Sequence, residues 1–86
     1  MPHENTIKAL REILAEMFSE ERANALPADA KPWHEHIGAK TLDCIDFKYF
    51  VQDKFAVQPH AFFFDNTSLA DIAEYIETAT PNTNPH

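Results

Sequence analysis

The chain has 86 residues, of which 14 are acidic and 7 are basic, so its formal net charge is −7. This length suits one small domain, and a hydrophobic content of 44% is enough for a core, which argues against a wholly disordered chain. The single glycine argues against an all-β fold with many tight turns, and the negative charge argues against binding to nucleic acid.

The first predicted element is an amphipathic helix that begins at Asn5 or Thr6, either of which can serve as its N-cap, and ends near Phe18. Apolar side chains recur along one side at helical spacing, at Ile7, Leu10, Ile13, Leu14 and Met17. This side is expected to face the core.

A long connection follows at residues 19–40, where Pro27 and Pro32 interrupt regular structure. Within it, residues 20–26 either extend the first helix or add a turn. A long loop in a compact domain usually packs against the core or has a function. We therefore expect apolar anchors to the core, at Leu26, Trp33 and Ile37.

A second helix is predicted from Thr41 to Phe55. The Thr41 hydroxyl can accept a hydrogen bond from a free N–H of the first turn, so Thr41 is the expected N-cap. Asp43 places a carboxylate near the positive end of the helix, which favours the same start.

The second helix carries apolar residues on two sides when its residues are placed at about 100° per step. One side, called here the Leu42 stripe, consists of Leu42, Ile45 and Tyr49. The opposite side contains Cys44, Phe47, Val51 and Phe55, with Phe50 between the two sides. One side is expected to enter the core. The other is either a docking surface flanked by Asp46 and Asp53 or a surface that residues 19–40 cover.

The last part of the chain contains a short element and a helix. Pro59 begins the short element at residues 60–64, and a turn follows it. Thr67 or Ser68 can cap the last helix, which is predicted to end near Thr78. Its apolar face is expected at Leu69, Ile72, Ala73 and Ile76. The domain is therefore assigned to residues 1–80, with a disordered tail at 81–86.

The cysteine content and the absence of long apolar runs indicate a cytoplasmic protein without a membrane span. Cys44 is the only cysteine, so an internal disulfide is impossible, as is typical of a reducing compartment. The N-terminal residues are polar where a signal peptide would be basic and then apolar. No run of 18 apolar residues occurs. We expect a monomer.

Three motifs in the chain resemble, in order and spacing, those of the acyl carrier proteins. The run GlyAlaLysThrLeuAspCysIleAspPhe at 38–47 is similar to the family's Gly-x-Asp-Ser-Leu motif and the helix that follows it. Pro59 matches the proline that opens the family's short third helix. The run SerLeuAlaAspIleAlaGluTyrIle at 68–76 resembles its closing Thr-Val-x-Asp-Leu-x-x-Tyr-Ile pattern.

The resemblance implies an all-α fold, a four-helix up-down bundle with a long first loop. It also implies that the second helix recognises basic patches on enzymes of fatty-acid, polyketide or related acyl-thioester synthesis. The residues that correspond to the family's partner contacts are the apolar Leu42, Ile45 and Tyr49 and the acidic Glu35, Asp43 and Asp46.

The chain departs from the family at Lys40 and Thr41, which stand where the family has Asp-Ser. In the family this serine carries 4′-phosphopantetheine, whose thiol holds the acyl group. The extra methyl of threonine crowds the hydroxyl, and Lys40 reverses the charge beside it. The favoured interpretation is a docking protein without the arm, in which Thr41 only caps the helix. The alternative is a working carrier that is loaded with 4′-phosphopantetheine on Thr41.

Two other kinds of function have little support in the sequence. His34, Glu35 and His36 suggest a metal site, but two histidines without a third ligand make a poor one. A nucleophile built from Thr41, Cys44 and a histidine has no supporting motif, so we predict neither a metal site nor an enzyme.

Overall fold

The computed structural model describes residues 3–57 and 66–79. All regular structure in these two ranges is helical, which confirms the all-α prediction at this level. The predicted element at 60–64, with Pro59 before it, and the predicted tail at 81–86 lie outside the described residues. The described helices are α1 (Glu4–Met17), α2 (Glu20–Ala25), α3 (Trp33–Ile37), α4 (Thr41–Phe55) and α5 (Leu69–Ala79).

Helix α1 begins earlier than predicted, because neither Asn5 nor Thr6 is its cap. His3 occupies the N-cap position in the left-handed region, with φ 62°. The Thr6 hydroxyl instead donates a 2.5 Å hydrogen bond to the Glu77 carboxylate on α5. The predicted core side of α1 is confirmed, since four of its five apolar residues are buried (Ile7, Leu10, Ile13 and Leu14) and Met17 is partly buried.

Residues 20–25 form a separate helix rather than an extension of α1. The Ser19 backbone is extended, and its hydroxyl accepts a hydrogen bond from the Arg22 N–H at 3.1 Å, which caps α2. At the other end of α2, the Arg11 guanidinium donates to the carbonyls of Ala23 and Leu26 at 2.7 and 2.5 Å. Arg11 therefore satisfies carbonyls that the short helix leaves without partners.

Helix α3 ends at Gly38, which has φ 74°, a left-handed conformation that suits glycine. The Arg22 guanidinium donates a hydrogen bond to the Ile37 carbonyl and lies 4.6 Å from the centre of the Phe18 ring. The connection between α1 and α4 thus contains two short helices, and an arginine holds the C-terminal end of each.

The predicted anchors of this connection are confirmed, because Leu26, Trp33 and Ile37 are all buried. The Trp33 ring packs on Phe47 of α4, with ring centroids 4.5 Å apart. Two backbone hydrogen bonds of 2.9 Å, from Trp33 N–H to the Thr67 carbonyl and from Ala70 N–H to the Ala28 carbonyl, join the connection to the start of α5.

The prediction that Thr41 caps α4 is wrong. Lys40 is the N-cap, with an extended backbone, and its N–H donates to the Asp43 carboxylate at 2.9 Å. Lysine has no side-chain acceptor, so Asp43 supplies the capping contact from within the first turn. Thr41 is the first residue of the helix itself, and its side chain is exposed. The predicted end at Phe55 is confirmed.

Helix α5 begins with a reciprocal pair of hydrogen bonds, which selects Ser68 over Thr67 as its cap. The Asp71 N–H donates to the Ser68 hydroxyl at 3.1 Å, and the Ser68 N–H donates to the Asp71 carboxylate at 3.0 Å. The helix ends at Ala79, one residue later than predicted. Its predicted apolar face is buried as expected, at Leu69, Ile72, Ala73 and Ile76.

Candidate docking surface

Helix α4 presents one apolar side to the core and the other to solvent. On the core side, Cys44, Phe47 and Val51 are buried and Phe55 is partly buried. On the opposite side, Leu42 is 74% exposed, Tyr49 is 58% exposed and Ile45 is 36% exposed. The connection at 19–40 therefore does not cover the Leu42 stripe, which excludes that alternative.

Two of the three acidic residues predicted to contact a partner, Asp43 and Asp46, lie on the same helix as the Leu42 stripe. Asp46 follows Ile45 on α4 and is exposed, and Glu35 is exposed on α3. Asp43 is partly buried, and its carboxylate accepts the capping hydrogen bond from Lys40. Asp43 therefore has a structural role at the start of α4. Among the described residues, the side chains of Glu35 and Asp46 make no such capping hydrogen bond.

A hollow of about 320 Å³ opens beside the exposed Thr41 side chain. It is lined by His34 from α3, by Ala39 and Lys40 from the loop before α4, and by Thr41, Cys44 and Ile45 from α4. The hollow therefore adjoins both the predicted attachment position at Thr41 and one edge of the Leu42 stripe.

Cys44 lies in the core, at the edge of the hollow beside Thr41. Its side chain is 8% exposed, and burial, followed by the negative charge of Asp43, raises the pKa of the thiol above its usual value. The neutral thiol is thus favoured, and the thiolate that would act as a nucleophile or a metal ligand is disfavoured.

The two histidines of α3 have different surroundings. His34 is partly buried, with its ring edge-on to Trp33 at a centroid distance of 5.5 Å, and it lines the hollow beside Thr41. His36 is exposed and lines a different hollow with Arg22. Residues 3–57 and 66–79 contain no group of three or more His, Cys, Asp or Glu that could hold a metal ion.

A second groove, between α1 and α4, is a feature that the sequence reasoning missed. We call it the α1–α4 groove; its volume is about 290 Å³, and it is lined by Glu12, Ile13, Glu16, Phe50, Asp53 and Lys54. Phe50 lies between the two apolar sides of α4, so the sequence did not assign it to the core or to the surface. In the structure it is 47% exposed. The sequence did contain one indication of this groove, because α4 has more apolar residues than its core side and the Leu42 stripe together include, and Phe50 is the additional one.

No helix within the described ranges is both long and apolar enough to cross a membrane. Comparison of the chain with protein-family models, with curated proteins and with solved structures finds no match.

Proposed function

We propose that this chain is an acyl-carrier-like docking protein that binds enzymes of fatty-acid, polyketide or related acyl-thioester biosynthesis through α4. In this proposal the Leu42 stripe contacts an apolar area of the enzyme, and Glu35, Asp43 and Asp46 meet the basic residues around it. The fold proposed with this function is the four-helix up-down bundle of the acyl carrier proteins. The family resemblance of residues 38–47 and 68–76 is the reason for choosing this class of partner.

The observation that carries the proposal is the exposure of three large apolar side chains on one side of a helix whose other side is buried. Leu42, Ile45 and Tyr49 occupy successive turns of α4, so they form one continuous surface. Such a surface is typical of a binding site, and tyrosine is among the residues that most often dominate binding energy. The net charge of −7 favours association with a basic partner.

The same proposal holds that the protein works without the 4′-phosphopantetheine arm. The β-methyl of Thr41 restricts its side chain and crowds the oxygen that would attack coenzyme A in a transferase. Lys40 places a positive charge where a basic transferase surface would approach. Both residues disfavour loading.

The alternative is a working carrier that is loaded with 4′-phosphopantetheine on Thr41. One observation favours it: Thr41 is exposed at the first position of α4, and the capping contact is made by Asp43. Its hydroxyl is therefore accessible to an enzyme, beside a hollow of about 320 Å³.

Intact-mass measurement separates the two functions. The chain is co-expressed with a broad-specificity phosphopantetheinyl transferase, with Thr41→Ala as the control. We expect no phosphopantetheine increment on the natural chain and a full increment on the double variant Thr41→Ser with Lys40→Asp. An increment on the natural chain that disappears in Thr41→Ala would refute the arm-less function and establish the carrier.

Docking is tested by surface plasmon resonance between the chain and carrier-dependent synthases from its own organism. The double variant Leu42→Ala with Tyr49→Ala should weaken binding about tenfold or more, since both side chains are removed from the proposed contact. Glu74→Ala, an exposed change on α5, serves as the matched control and should bind as the natural chain does. Equal binding by the two variants would contradict the docking proposal.

A further inference from the structure

The α1–α4 groove is separate from the Leu42 stripe. On α4 its residues Phe50, Asp53 and Lys54 lie toward α1, whereas Ile45 lines the hollow beside Thr41. Helix α1 supplies the other wall through Glu12, Ile13 and Glu16. The groove therefore joins two different helices, and nothing in the proposed function uses it.

Two apolar side chains, those of Ile13 and Phe50, line this groove. Ile13 is 8% exposed and belongs to the core, whereas Phe50 is 47% exposed. An exposed aromatic ring and a buried aliphatic side chain in one groove can pack against an apolar side chain of a partner. Such a contact would remove part of the Phe50 ring from water, which is favourable.

The other four lining residues are charged, and most of them are acidic. Three carboxylates, those of Glu12, Glu16 and Asp53, face a single ammonium group, that of Lys54, so the lining has a formal charge of −2 (three negative, one positive). Within the described residues, neither Lys54 nor any of these three carboxylates takes part in an ion pair. The carboxylates outnumber the single cation of the lining, so they are available to the cations of a partner.

The spacing of two of these carboxylates adds a specific argument. Glu12 and Glu16 lie four residues apart on α1, which places them one turn apart on the same side of the helix. Like charges at this spacing repel each other and weaken the helix that carries them. A cation placed between them would relieve the repulsion, so the arrangement favours a positively charged partner.

We propose that the α1–α4 groove binds a basic amphipathic helix of another protein. One apolar side chain of that helix contacts Phe50, and lysine or arginine side chains one turn to either side meet Glu12, Glu16 and Asp53. A helix is the partner that fits, because its cations at i and i+4 repeat at the same spacing as Glu12 and Glu16. The negative charge of the lining disfavours nucleic acid and anionic lipid surfaces as partners.

This site goes beyond the proposed function, because it does not depend on the partner being a synthase or on the Leu42 stripe. The probe is a synthetic amphipathic peptide of leucine and lysine, about four helical turns long. The same peptide with glutamate in place of lysine is its matched control. Binding is followed by ¹⁵N-NMR titration of the full chain at low and at high salt.

We expect the lysine peptide to shift the amide signals of residues 12–16 and 50–54, and the glutamate peptide to shift none. Binding should weaken at high salt, because surface charges are then screened. Shifts confined to residues 42–49, or no saturable binding at low salt, would overturn the groove site. Shifts confined to residues 42–49 would leave docking through the Leu42 stripe intact, so the two proposals fail separately.

Variants locate the contact further. Phe50→Ala should raise the dissociation constant about fivefold or more, as should the double variant Glu12→Gln with Glu16→Gln. Two controls should stay within about twofold. One is Leu42→Ala in the Leu42 stripe, and the other is the double variant Asp29→Asn with Glu74→Gln, which removes the same number of charges from exposed residues outside the groove. The Glu12 and Glu16 changes are isosteric and exposed, so they test the site even if Phe50→Ala alters the fold. An effect of the Asp29→Asn with Glu74→Gln control as large as theirs would show binding to net charge alone, and would refute the proposal.

Discussion

The two sides of α4 make a paired prediction about stability. Val51 has no exposed surface and Leu42 is 74% exposed, although both are aliphatic residues of the same helix. Val51→Ala and Leu42→Ala are therefore matched changes that shorten an aliphatic side chain to alanine. Only the first should alter the free energy of unfolding by much.

The magnitude for Val51→Ala follows from its complete burial. Loss of two buried methyl groups costs about 1.6 kcal/mol, at about 0.8 kcal/mol for each group. The cavity left behind adds to this cost, and the better helix propensity of alanine offsets about 0.5 kcal/mol. The expected net loss is about 2 kcal/mol, a large part of the stability of so small a domain. Leu42→Ala should change stability by about 0.5 kcal/mol or less.

Urea unfolding measures both variants. Far-UV circular dichroism follows the helices, and the fluorescence of Trp33, the single tryptophan, follows the core because its ring packs on Phe47. Coincident transitions by the two probes would establish two-state behaviour, which a comparison of free energies requires. If Leu42→Ala destabilises the protein as much as Val51→Ala does, the Leu42 stripe is buried in solution and the docking surface does not exist.

Three further predictions concern the connection, the ends of the helices and the cysteine. Gly38→Ala should destabilise the protein by about 1 kcal/mol in the same urea assay, because Gly38 has φ 74° and a Cβ there would lie 3.3 Å from the Arg22 guanidinium. Hydrogen bonds from Thr6 and His3 lower the pKa of Glu77 from its ordinary value of 4.5. The stability that these hydrogen bonds contribute is therefore present above pH 4.5 and is lost as the pH falls through the lowered pKa. The natural chain and Glu77→Gln should then become more alike in their free energies of unfolding on acidification. A difference in free energy of unfolding that does not change with pH would contradict this. Cys44 is buried with a raised pKa, so a thiol reagent should label it slowly in buffer and rapidly in urea, and fast labelling in buffer would place it outside the core.

The sequence predicted the three long helices well because each has a strong local signal. The apolar periodicity of α1 and α5 predicted their buried sides. The double periodicity of α4 separated its two apolar sides but left open whether the second side is exposed or covered by residues 19–40. The cap of α5 was predicted to within one residue, as Thr67 or Ser68, and the hydrogen bonds between Ser68 and Asp71 select Ser68.

The short helices and the cap of α4 were not predictable in the same way. Helices α2 and α3 depend on Arg11 and Arg22, which donate to carbonyls 12 to 15 residues away along the chain. A propensity scale contains no such contacts, and helices of this length are not stable alone. At the start of α4, both Lys40 and Thr41 precede Asp43, and the preference of threonine for caps pointed to the wrong residue. The α1–α4 groove was missed because it needs the relative positions of two helices.

The position of Thr41 bears on both proposed functions. If the Thr41 hydroxyl capped α4, the need for a cap would explain why a threonine stands at this position. The capping contact instead runs from the Lys40 N–H to Asp43, and Thr41 is exposed within the first turn. Folding therefore does not require a hydroxyl there, and Thr41→Ala should leave the helix intact. This makes Thr41→Ala a clean control in the mass experiment, since the variant removes the attachment atom without removing the cap. Whether Thr41 is loaded then depends on the charge of Lys40 and on the β-methyl of Thr41. The double variant Thr41→Ser with Lys40→Asp changes both of these features.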